Sequence, residues 1–174
     1  MNLSRVKIET DRLILVPIAT KHAHDIFREF TAEITKYMFS KPADDISETK
    51  EFISRAMGNL KNGNGLQMTV LLKSTNEFLG YAGLHEISTG IPELGLWIKK
   101  SAHNNGYGSE SIRALKKWAE ENLDHEYLLY PVDESNVISR KIPEKLGGKI
   151  IGKSVKNNQS GINLYIVNYK IPKG

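Results

Sequence analysis

The sequence predicts a mixed α/β domain built on one largely antiparallel sheet, and three observations lead there. Strand-length apolar runs alternate with segments of helical spacing, in the order strand, two helices, three strands, helix, strand, helix, two strands. Short turn sequences separate the three middle strands, as between antiparallel neighbours. Further on, a helix lies between two strand runs, and such a crossover sets them parallel. The 174 residues, 40% hydrophobic and 25% charged, suffice for one domain with its own core, spanning 1–174 with helices flanking the sheet.

RLILVPI (12–18) is a buried-strand run ended by Pro17. Thr20 is expected to cap a helix whose apolar positions Ala23, Ile26, Phe27 and Phe30 recur at helical spacing. After KPADD (41–45), Ser47 is expected to cap a second helix with Phe52, Ile53, Ala56, Met57 and Leu60 on one side, stopped by NGNG (62–65). LQMTVLLK (66–73), FLGYAGLHEI (78–87) and ELGLWIKK (93–100) are strand-like, broken by STNE and STGIP. The next helix buries Ile112, Leu115, Trp118 and Ala119 and turns Arg113, Lys116, Lys117, Glu120 and Glu121 outward. YLLYPV (127–132) is a strand, and NVISRKIPEKL (136–146) a short helix expected to break at Pro143. KIIGKSV (149–155) and NLYIVNYKI (163–171), joined by NNQSG, complete the sheet. No repeat or low-complexity segment is present.

Composition narrows the function. With no cysteine there is no disulfide framework, thiol nucleophile or thiolate metal site. No run approaches the roughly 18 apolar residues of a membrane span, and MNLSRVKIETDRL has no apolar signal region. A soluble cytoplasmic protein with no membrane partner is expected. The net charge of +4 comes from lysines spread along the chain, which argues against direct nucleic-acid binding and fits a polyanionic cofactor or acidic partner. His22 and His24 share no helical face, so no metal site is expected; His125, at a helix-to-strand connection, is expected to be solvated.

Two glycine stretches could hold phosphate. GGKIIGKS (147–154) satisfies G-x-x-x-x-G-K-S, but a nucleotide loop must leave a strand and enter a helix. Here glycines follow a helix, where they cap it, and Ile150 and Ile151 belong to a strand. The match is accidental. HNNGYGSES (103–111) has the right context, since a strand precedes it and an amphipathic helix follows. Gly106 and Gly108 let a ligand approach the backbone, and the amides from Asn104 to Ser109 face that space with the helix dipole behind them. A phosphate or pyrophosphate is one reading; a tight turn before a helix is the other.

At this point the chain resembles the GNAT acetyltransferases, which move acetyl from acetyl-CoA to an amine. Their central motif is Gln or Arg, two residues, Gly, one residue, Gly or Ala; here His103, Gly106 and Gly108 match it, with His103 replacing the Gln or Arg and Asn104 standing where glycine is common. NVISRKIPEKLGG (136–148) matches a second motif, Asn-x-x-Ser-Arg running to Lys-Leu-Gly. ETDRLILVPI (9–18) is similar to the first strand of the branch containing ribosomal-protein N-terminal alanine acetyltransferases.

The resemblance implies the GNAT fold, with a parallel strand pair that splays apart, and acetyl-CoA as co-substrate. The pyrophosphate would lie on the amides of Asn104, Asn105, Gly106, Tyr107, Gly108 and Ser109, with His103 at the edge. The pantetheine arm would add like an extra strand beside Leu96, Trp97 and Ile98, with Asn136 and Ser139 toward its thiol end. Asn136 as a plain helix cap and Ser139 as a surface serine are the alternatives.

The chemistry requires a proton acceptor for the attacking amine and a donor for the departing thiolate. Glu93, which opens the strand before the loop and shares a face with Gly95 and Trp97, is the first candidate base, with His85 and Glu86 as rivals. An exposed strand-start residue is the alternative for Glu93, and Trp97 and Trp118 also read as packing residues. Ser139 is the candidate acid. No glutamate follows Glu144, so a late-chain base is not available. The expected acceptor is a primary amine attacked in a ternary complex, with a protein N-terminus, ribosomal by the branch resemblance, favoured. A polyamine, amino acid or aminoglycoside is the runner-up, and a non-catalytic CoA-binding domain a third reading. A homodimer is left open.

Overall fold

The computed structural model describes residues 1–174. Its strands are β1 (Ile8–Glu9), β2 (Leu13–Pro17), β3 (Leu66–Leu72), β4 (Phe78–His85), β5 (Glu93–Ile98), β6 (Leu128–Asp133), β7 (Lys149–Asn157) and β8 (Asn163–Ile171). They form one sheet in the order β1-β2-β3-β4-β5-β6-β8-β7. Every neighbouring pair is antiparallel except β5 and β6, the two strands joined by a helix. The helices are α1 (Ala23–Glu29), α2 (Ile46–Asn62), α3 (Tyr107–Asn122) and α4 (Val137–Lys145).

Strand alternation explains how the layers are filled. Glu93, Gly95 and Trp97 turn toward α1 and α2, where Phe30 lies 5.0 Å from Trp97 between ring centroids. Leu94, Leu96 and Ile98 turn the other way, toward α3. Ile112, Leu115 and Ala119 on α3 are fully buried, as their spacing requires, and Trp118 is half-buried against the core. On α2, Ile53, Ala56 and Leu60 are buried, but Met57 lies at the edge of the stripe and is exposed.

Local signals were misread in five places. β1 was not foreseen; it is a two-residue strand folded back on β2 through the turn at Thr10–Arg12, too short to show periodicity. Thr20 caps nothing: it opens a 3-10 turn, Thr20–His22, that runs into α1. Asp45, not Ser47, caps α2, its carboxylate accepting the Ser47 amide at 2.7 Å. Pro143 does not break α4, because it sits in the last turn. His125 is buried at 4% exposure, not solvated, its Nδ1 lying 3.3 Å from the Leu123 carbonyl.

GGKIIGKS is a helix stop followed by a strand. Gly147 takes φ +76°, and the Gly148 amide donates to the Pro143 carbonyl at 2.8 Å, closing α4. A side chain at 148 would stand 2.6 Å from that carbonyl. Lys149 to Asn157 then pair with β8.

Candidate active site

β5 and β6 match at a single register pair, Glu93 with Leu129, and then part. There the Leu129 amide donates to the Pro92 carbonyl at 2.9 Å. Alternation turns the backbone groups of Leu94, Leu96 and Ile98 to that same open side, while Lys99, of opposite parity, donates to Leu79 of β4 at 2.8 Å. Leu96 and Ile98 therefore border a V-shaped gap, with the Leu96 backbone turned toward an extended ligand and the Ile98 carbonyl already accepting from the His103 ring. The backbone of Trp97 points to β4; its indole, 8% exposed, packs between Phe30 and Phe78.

At the open end of the gap lies the 103–109 loop. The amides of Asn104, Asn105, Gly106, Tyr107, Gly108 and Ser109 all lack a partner within the chain. Asn104 and Gly106 hold left-handed conformations, φ +64° and +77°. Gly106 is the N-cap of α3. At Gly108 a Cβ would stand 2.9 Å from Leu96 Cδ2, so glycine there lets α3 approach β5. Six free amides at a helix N-terminus suit a pyrophosphate, and the loop fits CoA on its own geometry. His103 folds away from the loop: its Nε2 donates to the Ile98 carbonyl at 2.6 Å.

The other face of β5 opens into a cavity of about 770 Å³. Phe30, Phe52, Tyr81 and Trp97 contribute its apolar wall, and Glu93 and His85 lie together on the sheet as direct cross-strand partners. Glu93 is half-buried. Burial holds its carboxyl above the ordinary glutamate range, against an opposing pull from Lys156 and with a push from Glu86. Burial also lowers the His85 imidazole, which leaves it neutral at pH 7, with Nε2 2.9 Å from the Tyr81 hydroxyl. Glu86 is exposed, stands outside the cavity lining and takes φ +53°. Of the three candidate bases, the fold brings two together and leaves the third at the strand end.

On the α3 side, Asn136 caps α4, its Oδ1 accepting the Ser139 amide at 3.3 Å. Ser139 is half-buried, with its hydroxyl 2.7 Å from that of Tyr130 on β6, so it is more than a surface serine. Burial pushes the Tyr130 phenol up to about 12. Tyr130 was missed in the sequence because YLLYPV reads as a plain strand, with nothing local to mark its hydroxyl as the partner of Ser139. Arg12 was missed as well. It stands in the β1–β2 turn, yet its guanidinium reaches the Asn105 carbonyl at 2.8 Å.

Residues 12–149 match the family model described as an acetyltransferase (GNAT) domain. The chain belongs to the GNAT acetyltransferase family. Within it, the class that family and relatives define is the acetyl-CoA-dependent N-acetyltransferase. The chain is 25% identical over 141 residues, 79% of each chain, to the uncharacterised N-acetyltransferase p20 of Bacillus licheniformis. To the uncharacterised N-acetyltransferase YoaA of Bacillus subtilis (strain 168) it is 26% identical over 143 residues, covering 80% of this chain and 81% of that one. In fold it is similar to RimL, a ribosomal alpha-N-protein acetyltransferase in complex with coenzyme A, with a TM-score of 0.85, 16% identity, and coverage of 96% and 98% of the two chains. It is also similar to the microcin C7 self-immunity acetyltransferase MccE in complex with acetyl-CoA and AMP, at a TM-score of 0.81 and 17% identity over 94% and 93%. At these identities the two structures speak for the fold alone.

Proposed function

We propose that the acceptor is a primary amine bound in the 770 Å³ cavity, and that it attacks the thioester directly across the gap between β5 and β6. The observation that carries this is the placement of Glu93: it belongs to the cavity face and is also the last residue of β5 paired with β6. Glu93 takes the proton the amine loses as its N–C bond forms. When the C–S bond breaks, Ser139, backed by Tyr130, returns a proton to the sulfur. The amides of 104–109 hold the pyrophosphate, and the strand edge that opens at Leu96 and runs to Ile98 guides the arm. Without cysteine no thiol-linked acetyl-enzyme forms, and the transfer proposed is direct, within a ternary complex.

A protein N-terminus is the favoured acceptor, supported by the ETDRLILVPI branch resemblance. A small amine is the second reading. It is supported by the cavity roof, where Met38 to Lys41 are tied to the 158–159 turn: Gln159 donates its amide to Phe39 at 2.9 Å, and its Oε1 accepts the Lys41 amide at 3.2 Å. A roofed cavity of this volume lies in the usual range for small ligands. The test is acetyl-CoA-dependent thiol release across peptides with free N-termini and a panel of polyamines, amino acids and aminoglycosides. Turnover confined to peptides supports the first reading and turnover confined to small amines the second. Acetyl-CoA binding with no turnover on any amine would refute both and leave a CoA-binding domain.

A further inference from the structure

The turn between β1 and β2 and the start of α3 are held together by a carboxylate. Glu110, 9% exposed in the first turn of α3, accepts from the Thr10 hydroxyl at 2.6 Å and from the Arg12 amide at 3.1 Å. It also accepts from Arg12 Nε at 2.8 Å and pairs with Nη2 at 2.7 Å. The same guanidinium lies 4.7 Å over the Tyr107 ring, and its Nη1 donates to the Asn105 carbonyl at 2.8 Å. Two groups of the 103–109 loop, and Glu110 just beyond it, are thus held by one side chain from a remote turn.

Two physical consequences follow. A trans peptide is planar, so its carbonyl and the next amide point in opposite directions. Drawing the Asn105 carbonyl outward to Arg12 therefore turns the Gly106 amide inward, where it has no partner in the chain. Glu110, in turn, places a negative charge at the helix end that is to receive an anion, and a bare carboxylate there would repel it. Arg12 cancels that charge with a two-point contact that a lysine cannot reproduce.

We propose that Arg12 is a positioning residue for the CoA pyrophosphate: it sets the Gly106 amide toward the ligand and neutralises Glu110 beside it. This rests on the assignment of the 104–109 loop to CoA. It is not a catalytic role, since the guanidinium is spent on Asn105, Tyr107 and Glu110.

The test compares two donors that share the thioester and differ in the pyrophosphate, acetyl-CoA and S-acetyl-pantetheine, and measures CoA binding by calorimetry. In Arg12→Met the Kd for CoA should rise about tenfold, the size of one charge-assisted hydrogen bond lost. KM for acetyl-CoA should rise with it while kcat holds, and kcat/KM for S-acetyl-pantetheine should stay at the wild-type value. Arg12→Lys keeps the charge and the fold and should recover only part of the CoA affinity, which keeps the test open if Arg12→Met does not fold. Equal losses on both donors would mean a general structural role and overturn the proposal. Unchanged CoA affinity in the Arg12 variants, with the wild type binding normally, would overturn it alone. A wild-type chain that fails to bind CoA would overturn the loop assignment along with it.

Discussion

Replacing Glu93 by glutamine keeps its size and removes its basicity, and the structure fixes what should change. A protein α-amine, with a pKa of about 7.7–8.0, is unprotonated in only about one molecule in six to eleven at pH 7, and an amine as basic as free lysine, about 10.4, in about one in 2,500. Loss of the base should lower kcat at pH 7 about 10²-fold, or roughly 2.7 kcal/mol at 1.36 kcal/mol per decade. The rate should recover as pH rises and the amine deprotonates unaided. CoA affinity should hold, since the loop lies at the other end of β5. Stability should move the opposite way. Burial raises the Glu93 pKa in the folded chain. A raised carboxyl pKa contributes stability that is complete below the unfolded value, about 4.3, and is lost as pH rises through the folded one. Glutamine never ionises, so Glu93→Gln should melt higher than wild type at neutral pH and match it in acid. Thiol-release kinetics from pH 6 to 9, with melting curves at neutral pH and below about pH 4, measure both effects. Near-normal activity of the folded variant at pH 7 would refute the assignment and move the base to His85, its partner across the strands.

Gly108→Val would drive its Cβ to within 2.9 Å of Leu96, an overpacking cost of about 1–3 kcal/mol, and should abolish the rise in melting temperature given by acetyl-CoA. A folded variant with unchanged CoA affinity would remove the loop from the site. Tyr130→Phe and Ser139→Ala should each lower kcat by up to about tenfold, and the double variant by no more than the larger single loss, because the two hydroxyls act as a pair. Additive losses would separate them. Lys153→Ala, in the middle of β7, should leave transfer and CoA binding at wild-type levels, and ATP with magnesium should not shift the melting curve. A saturable ATP shift lost in that variant would reinstate GGKIIGKS as a nucleotide site.

What the sequence made legible was local. The spacing of Ile112, Leu115 and Ala119 placed α3, and a helix between two strand runs placed the parallel pair. The loop at 103–109 was visible because its glycines lie between a strand and a helix. Contacts across long separations were not legible. Arg12 and Glu110 lie 98 residues apart, and nothing in ETDRL marks its arginine as the partner of a loop on another element. His125 looked exposed because it lies at a helix-to-strand connection, yet the connection into β6 turns it inward. The α2 cap was misplaced by two residues because Asp45 and Ser47 are both good caps, and only the backbone decides between them.

The gap between β5 and β6 also bears on how long the molecule survives. Joined by one register pair, the sheet has a seam, with β1 to β5 on one side and β6 to β8 on the other. Across it, Ile142 of α4 reaches toward Gly108 of α3, with 3.8 Å between its Cδ1 and a Cβ built at that glycine. Such a seam is where partial opening begins, and protease cleavage follows the population of the opened form. A donor bound along both rims must leave before the seam can part, so saturation at a hundred times its Kd should slow cleavage there by about a hundredfold. Limited proteolysis with and without CoA would show it. Without CoA the two halves of the sheet would part and be cut sooner; with it, the molecule would outlast the protease.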